Sequence, residues 1–182
     1  MKELKIFTNF NYLVLKSING KYFKKSWELY ENSFPKNERR TLKEQEKVLA
    51  NDKYQAFVVL KDGEFLAILF FWNFKKYTFI EHFAVSDKLR GRSFGSKILK
   101  DFLTKYDKVV LEIELLKDEI CKKRLNFYER LGFMMNTHKH FQVPFRENSH
   151  NLELLLLSYK KRLTKEQYEF LYSQMRSSLT VR

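Results

Sequence analysis

The sequence predicts a mixed α/β domain of the α+β type, in which a mostly antiparallel sheet of about six to seven strands carries helices on both faces. Three observations predict this class. Asp-Gly at 62–63, between two β-rich runs, indicates a hairpin. Apolar residues recur at helical spacing over 94–106, and a continuous apolar run follows at 108–114. A parallel connection from a strand at 78–86 to that run requires such a helix, and the length suits a single domain over 1–182.

The remaining elements follow from turn and cap signals. Thr41, with Glu44 three positions later, forms a capping-box pattern that starts a helix. Pro35 ends the helix before it, because the residue preceding a proline avoids the helical region. Gly132 is placed as a helix C-cap. The expected bounds are 4–16 for an edge strand, 24–32 and 42–51 for helices, 54–60 and 64–72 for the hairpin, 120–131 for a helix, 133–143 and 152–158 for strands, and 164–177 for a final helix.

The chain is strongly basic, with 35 lysine and arginine residues against 22 aspartate and glutamate residues and a net charge of +13. Such an excess attracts anions, and it fits nucleic acid, a membrane surface or a phosphorylated cofactor. The positive residues are spread along the chain rather than gathered in one tail, which argues against nucleic acid. No apolar run is long enough to span a bilayer, so we expect no membrane partner.

Two residue types limit redox and metal chemistry. The single cysteine, Cys121, excludes an internal disulfide framework and a cysteine cluster for zinc. His138 and His140 would share one face of a strand, but no third ligand accompanies them, so we expect no metal site. The N-terminus lacks the long apolar stretch of a signal peptide, and we therefore expect a cytoplasmic protein.

The segment 89–95, Leu-Arg-Gly-Arg-Ser-Phe-Gly, lies between an apolar strand and an amphipathic helix. Backbone N–H groups at a helix start have no partner within the helix, and the helix dipole favours negative charge there. Glycine allows the backbone to approach a ligand closely. Together these features predict a cradle for a polyphosphate group.

Two segments resemble the GNAT superfamily of N-acetyltransferases. Residues 81–99, Glu-His-Phe-Ala-Val-Ser-Asp-Lys-Leu-Arg-Gly-Arg-Ser-Phe-Gly-Ser-Lys-Ile-Leu, resemble its motif A. Residues 124–133, Arg-Leu-Asn-Phe-Tyr-Glu-Arg-Leu-Gly-Phe, resemble its Phe-Tyr-x-x-x-Gly-Phe signature, and 33–40 resemble an upstream helix–loop of some bacterial members. The resemblance implies the GNAT fold and acetyl-CoA as the donor. It also implies transfer of the acetyl group to a primary amine by direct attack in a ternary complex.

The resemblance further implies that the glycine-rich turn binds the pyrophosphate through backbone amides. The preceding strand would bind the pantetheine arm by its exposed backbone, because the strands at 78–86 and 108–114 splay apart in this family. The Val85 N–H would polarise the thioester carbonyl. Ser93 stands where the family usually has glycine, and we expect its hydroxyl to cap the helix. The implied cofactor-binding residues are Phe83, Ala84, Val85, Arg90, Gly91, Arg92, Ser93, Phe94, Gly95, Ser96 and Asn126.

Acetyl transfer to an amine needs a base for the amine and an acid for the leaving thiolate. Tyr128 stands where GNAT enzymes often place the acid, and a phenol is protonated at neutral pH. The resemblance does not select the base. Glu81, Glu112 and Glu114 are the candidates, and we rank Glu81 first. Alternation places it on one strand face with Phe79, Phe83 and Val85.

Several alternatives stay open at this point. The chain could be a degenerate GNAT-fold binding module without turnover, or a basic nucleic-acid-binding protein. The acceptor could be a small molecule or a peptide amine, and the oligomeric state is open, with a homodimer among the possibilities. Further basic residues could contact the cofactor or the acceptor, or simply face solvent: Lys122, Lys123, Arg124, Arg39, Arg40 and Arg146.

Overall fold

An eight-stranded mixed sheet organises the computed structural model, which describes residues 10–145 and 152–180. The elements are β1 (Asn11–Val14), α1 (Phe23–Ser33), α2 (Leu42–Leu49), β2 (Tyr54–Lys61), β3 (Glu64–Asn73), β4 (Thr78–Val85), α3 (Phe94–Lys105), β5 (Val109–Glu114), α4 (Glu119–Glu129), β6 (Phe133–Met135), β7 (His140–Phe141), β8 (Glu153–Tyr159) and α5 (Lys165–Ser178). The strands lie in the order β1–β2–β3–β4–β5–β8–β6, and β7 also pairs with β8. Only the β4–β5 pair is parallel among these described neighbours.

The local signals of the sequence produce the turns and caps that they predict. Asp62 and Gly63 have φ angles of 50° and 81°, as a two-residue hairpin turn requires. Thr41 closes a capping box with Glu44 at the start of α2, and Thr164 closes another at the start of α5. α1 ends before Pro35, so the predicted stop is also confirmed.

Helices cover both faces of the sheet. On one face α1, α2 and α5 enclose a core that includes Tyr30 and Trp72. On the other face α3 and α4 enclose a core that includes Leu99, Phe102 and Leu125. The predicted α/β class, with α3 as the crossover between two parallel strands, is confirmed. Within the two described stretches, no helix is both long and apolar enough to cross a membrane.

Three sequence-based expectations need adjustment. The sheet has eight strands rather than six or seven. The single strand expected at 133–143 is two short strands, because the Asn136 side chain donates to Leu156 O at 3.1 Å and accepts from Leu163 N at 2.7 Å, which turns the chain away from the ladder. The edge strand is confirmed from Asn11 onward, and residues 4–9 of that prediction lie outside the described residues.

A β-bulge interrupts the pairing of β3 with β4. Phe70 is opposite His82, but the next residue, Phe71, is opposite Ile80, so Glu81 is the extra residue. A bulge reverses the alternation of side chains beyond it and bends the strand that contains it. Its position is where β4 separates from β5, next to the cavity described below.

Candidate active site

The parallel strands β4 and β5 pair over only three positions and then separate. Thr78 to Ile80 pair with Val109 to Leu111, and beyond these positions β4 and β5 no longer pair with each other. The backbone of residues 81–85 therefore has a free edge toward β5, since its other edge pairs with β3. A cavity of about 660 Å³ occupies the gap and extends to the start of α3. The splay that the resemblance implied is confirmed.

The start of α3 forms the polar end of this cavity. Gly91 and Ser93 both have left-handed backbones, with φ of 77° and 60°. The first amide with a partner in the helix is that of Lys97, which donates to Ser93 O at 3.1 Å. Within the described chain, the N–H groups of residues 94–96 have no backbone acceptor, so they are available to an anion.

Ser93 adopts the conformation that glycine reaches without strain. This explains physically why glycine suits the position, and it shows that serine can still form the turn. The predicted side-chain cap is wrong, because the Ser93 hydroxyl makes no capping hydrogen bond. The helix-start amides therefore receive no acceptor from this side chain.

Most residues implied for cofactor binding meet at the cavity, and two do not. Arg92 and Asn126 are exposed and do not line it. Those that line it are Phe83, Ala84, Val85, Arg90, Gly91, Ser93, Phe94, Gly95 and Ser96. Their binding role stays a prediction. A Cβ at Gly95 would be 3.5 Å from both Phe127 and Val85, which is ordinary van der Waals contact, so only a side chain larger than a methyl group would crowd these neighbours.

Basic side chains lie near both ends of this loop. Arg90 donates to Val85 O at 3.3 Å and pairs with Asp87 at 2.8 Å, so its guanidinium is held against the end of β4. From α4, Lys123 and Arg124 line the cavity, whereas Lys122 pairs with the exposed Glu119. Among these three α4 residues, Lys123 is therefore the best placed to approach a phosphate group in the cavity.

Tyr128 reaches the cavity from the other end of α4. Its ring packs edge-on against Phe127 and Phe133, with centroids 5.1 Å and 5.7 Å away. Burial raises the pKa of its phenol to about 12, although the Arg124 guanidinium acts in the opposite direction. The group therefore stays protonated at neutral pH, which a proton donor requires. The Tyr128 ring can therefore pack against its neighbours while its phenol remains able to donate a proton.

Glu81 is not where alternation placed it. The bulge puts its side chain on the face opposite Phe83 and Val85, so the predicted shared face is wrong. The carboxylate pairs with Arg40 and accepts from Trp72 Nε1 at 2.9 Å. Burial alone would raise its pKa, but the Arg40 guanidinium lowers it to about 2. A buried, paired and weakly basic carboxylate is a poor proton acceptor, which disfavours Glu81 as the base.

The other two candidate bases also have partners. Glu112 binds His140 Nε2 at 2.6 Å, and Glu114 pairs with Arg124. Both carboxylates line the cavity on the β5 side. Their partners reduce their availability for proton abstraction, but their charges act on whatever faces them.

Glu38 faces them, and sequence reasoning missed it. It ends a short 3₁₀ turn, Lys36–Glu38, and lines the cavity. Burial, followed by the nearby Glu114 and Glu112 carboxylates, raises the pKa of Glu38 to about 7, against the effect of Arg124. The resemblance of residues 33–40 to an upstream helix–loop includes Glu38, but no local sequence pattern indicates that this loop lies next to β5.

The other arginines considered for the acceptor side have different environments. Arg40 is fully buried, whereas Arg39 lies closer to the surface and pairs with Glu31 at 3.2 Å. Arg146 lies outside the described residues. Across 10–145 and 152–180, no group of three or more histidine, cysteine, aspartate or glutamate residues could hold a metal ion.

Comparison with known proteins finds a similar domain family over part of the chain. The model of the acetyltransferase (GNAT) domain matches residues 52–135, which contain β2 to β6 and the whole start of α3. A Bacillus subtilis protein named provisionally as an acetyltransferase, YjbC, is 30% identical over 119 residues, covering 64% of this chain. The chain spans 58% of the length of that curated relative.

Solved structures share the fold over most of the chain. A Bacteroides thetaiotaomicron protein assigned provisionally to the GNAT acetyltransferases has a TM-score of 0.85 and 24% identity, with 94% of this chain and 99% of that chain covered. An Elizabethkingia anophelis GNAT acetyltransferase with bound acetyl-CoA has a TM-score of 0.60 and 17% identity, with 85% and 99% covered. The chain therefore has the fold of the GNAT acetyltransferases, and its residues 52–135 are similar to the acetyltransferase (GNAT) domain.

Proposed function

We propose that this protein transfers the acetyl group of acetyl-CoA to a primary amine by direct attack in a ternary complex. The observation that supports this most is the continuous cavity between β4 and β5. It joins open helix-start amides at α3 to a protonated phenol, Tyr128, and to a carboxyl of raised pKa, Glu38. The Elizabethkingia neighbour contains acetyl-CoA, and the residues present here suit the same ligand.

The donor would bind along the backbone. The N–H groups of residues 94–96 would hold the pyrophosphate, and Lys123 would approach a further phosphate. The free edge of residues 83–85 would hold the pantetheine arm as an added strand does. Acetyl-CoA supplies the reactive thioester, and the Val85 N–H would polarise its carbonyl.

Glu38 is our candidate for the general base. An alkylamine is protonated at neutral pH, so a carboxylate must take a proton before the nitrogen can attack. The nitrogen then bonds to the acetyl carbon while the carbon–sulfur bond breaks. The Tyr128 phenol gives its proton to the departing sulfur, and solvent restores it. A base with a pKa near the working pH is the most effective one.

The acceptor would be a small-molecule or peptide amine that enters beside Glu38. Glu38, Glu112 and Glu114 line this end of the cavity, and carboxylates attract an ammonium group even in a chain of net charge +13. The cytoplasmic location expected from the sequence is part of this proposal, because acetyl-CoA is an intracellular metabolite.

Calorimetric titration with acetyl-CoA, followed by an amine screen for release of coenzyme A, tests the proposal. We expect binding by the wild-type chain and its loss in Gly95→Trp, since the indole would fill the space beside Phe127 and Val85. Lys100→Trp, on an exposed position of the same helix, is the matched control and should bind normally. Absence of binding at millimolar acetyl-CoA would refute the function.

A further inference from the structure

Glu38 sits on a loop that has little structure of its own. The 3₁₀ turn Lys36–Glu38 is three residues long, and Pro35 and Arg39 on either side of it are extended. So short a turn does not fix a side chain over a cavity by its own hydrogen bonds. The position of Glu38 must therefore depend on contacts with the rest of the fold.

One such contact comes from the bulge in β4. His82 Nε2 lies 2.9 Å from Glu38 O, so the ring N–H donates directly to the carbonyl of the candidate base. The ring is itself confined, because it packs edge-on against Tyr30 and Phe34 with centroids 4.7 Å and 4.6 Å away. His82 is almost completely buried, and this bond is therefore shielded from competing water.

A second contact lies two residues further along the loop. The Arg40 guanidinium pairs with Glu81, the extra residue of the bulge, and donates to Leu179 O at 3.1 Å. The Cζ atom of the guanidinium lies 4.1 Å from the centroid of the Phe145 ring. The Arg40 backbone N–H donates to Tyr30 Oη at 2.8 Å, so both the main chain and the side chain of this residue are anchored.

Both contacts depend on the bulge. Without the extra residue, alternation would turn either Glu81 or His82 toward the opposite face of the sheet. With it, two adjacent side chains reach the same loop, one through Arg40 and the other through the carbonyl of Glu38. The strand that separates from β5 to open the cavity thus also holds the loop that carries the base.

We propose that Glu81 and His82 are positioning residues, which hold the 36–40 loop so that Glu38 faces the acceptor end of the cavity. This inference rests on the proposed function for its catalytic consequence. Its structural part, that the bulge orders the loop, does not. Glu81 thereby takes an indirect part in the reaction in place of the direct one that the sequence suggested.

His82→Phe tests the proposal most directly. Phenylalanine keeps a ring between Tyr30 and Phe34 but cannot donate to Glu38 O. We expect faster hydrogen exchange at the amides of 36–40, measured by mass spectrometry, with exchange elsewhere unchanged. We also expect about a tenfold fall in kcat with little change in the KM for acetyl-CoA. His82→Gln, which keeps a donor, should recover part of the loss.

His138→Phe is the matched control. His138 Nε2 also lies 3.0 Å from a main-chain carbonyl, Leu163 O, and its ring stacks on Tyr168, but it does not line the cavity. This variant should leave both kcat and the exchange of 36–40 unchanged.

Glu81→Gln is the second variant, and it loosens Arg40 while keeping an acceptor for Trp72 Nε1. It should change the same readouts and should move the acid limb of the pH–rate profile. That limb depends on the charges facing Glu38, which are Glu112 and Glu114 from β5 and Arg124 from α4. If His82→Phe fails to fold, Glu81→Gln decides the question by hydrogen exchange.

The outcomes separate the two proposals. Unchanged exchange at 36–40 together with unchanged kcat in the folded variants would overturn the positioning role, whatever Glu38 does. If Glu38→Gln loses turnover while those variants stay unchanged, Glu38 remains the candidate base and only the positioning role of Glu81 and His82 is excluded. If the variants exchange faster at 36–40 but the wild-type chain turns over no amine, the positioning role of Glu81 and His82 is supported and the proposed acetyl transfer is not.

Discussion

The cavity between β4 and β5 has two ends that are built differently. At the α3 end, residues 94–96 line the cavity with backbone amides that have no backbone acceptor, and the loop is shaped by two left-handed residues close together in sequence. At the proposed acceptor end, the candidate base Glu38 lies on a short turn held by buried side chains from β4 and by contacts with residues far along the chain. One end is made by local conformation and the other by tertiary contacts.

This difference shows which kind of recognition a sequence displays. A phosphate site made of main-chain N–H groups needs only a turn and a helix start, which neighbouring residues specify. A base with a raised pKa needs burial and nearby like charges, which only the folded chain brings together. Changes at the two ends should therefore have different consequences, and the following variants separate them.

The largest effect should come from Arg40→Met, which leaves the Glu81 carboxylate buried without its charge partner. Both side chains are essentially inaccessible to water. Removing one member of a buried pair costs about 3 to 5 kcal/mol of unfolding free energy. Urea denaturation measures this loss, and a cost as small as that of a surface pair would show that the acceptor end does not depend on Arg40.

Lys122→Met is the control, since Lys122 and its partner Glu119 are both exposed and the change should cost no more than about 1 kcal/mol. Acid titration gives a second reading. Glu81 has its pKa lowered from 4.5 to about 2, so its contribution to stability is complete above pH 4.5 and is lost as pH falls toward 2. Arg40→Met should flatten that dependence.

Glu38→Gln should reduce kcat by roughly a hundredfold or more, which is the usual effect of removing a general base. The wild-type rate should rise with pH through about 7, because only the ionised carboxylate accepts a proton, and the variant should lack that limb. Acetyl-CoA affinity, measured by calorimetry, should not change. Glu46→Gln on the exposed face of α2 is the control, and an equal loss there would exclude a specific role for Glu38.

Tyr128→Phe should have a smaller effect, a roughly tenfold loss of kcat, because a thiolate of pKa about 8.5 leaves with little help from an acid. The phenyl ring keeps the packing against Phe127 and Phe133, so thermal stability should hardly change. Steady-state kinetics with a saturating amine gives the comparison. Wild-type turnover in the variant would assign Tyr128 to packing alone.

Ser93→Gly should have the smallest effect, and it should be favourable. A left-handed L-residue costs about 1 to 2 kcal/mol, and glycine recovers part of that while adding unfolded-state entropy. We expect a gain of less than about 1 kcal/mol, with acetyl-CoA affinity retained. Ser173→Gly in the middle of α5 should instead cost about 0.5 to 1 kcal/mol. Weaker binding in Ser93→Gly would mean that the serine side chain contacts the ligand.

The sequence predicts one end of the cavity far better than the other for physical reasons. The 62–63 hairpin and the Thr41 capping box depend on residues within a few positions of each other and take their expected form. The α3 loop keeps its helix-start amides open, although the expected Ser93 cap does not form. Glu81 fails because strand alternation assumes an unbroken ladder, and nothing local in 78–86 marks an extra residue. Glu38 is missed because its neighbours in space, Glu112 and Glu114, are more than seventy residues away in the chain.

The bulge also determines which mutations this strand can tolerate. Glu81 and His82 point to the same side of the sheet only because the strand has one additional residue there. Substitutions at 83–85 change the size or polarity of a single side chain. A one-residue deletion at 81 or 82 would instead remove the bulge, so residues 83–85 would keep their pairing with β3 but only one side chain would be left to hold the 36–40 loop. The length of this strand should therefore be under stricter constraint than the identity of its residues.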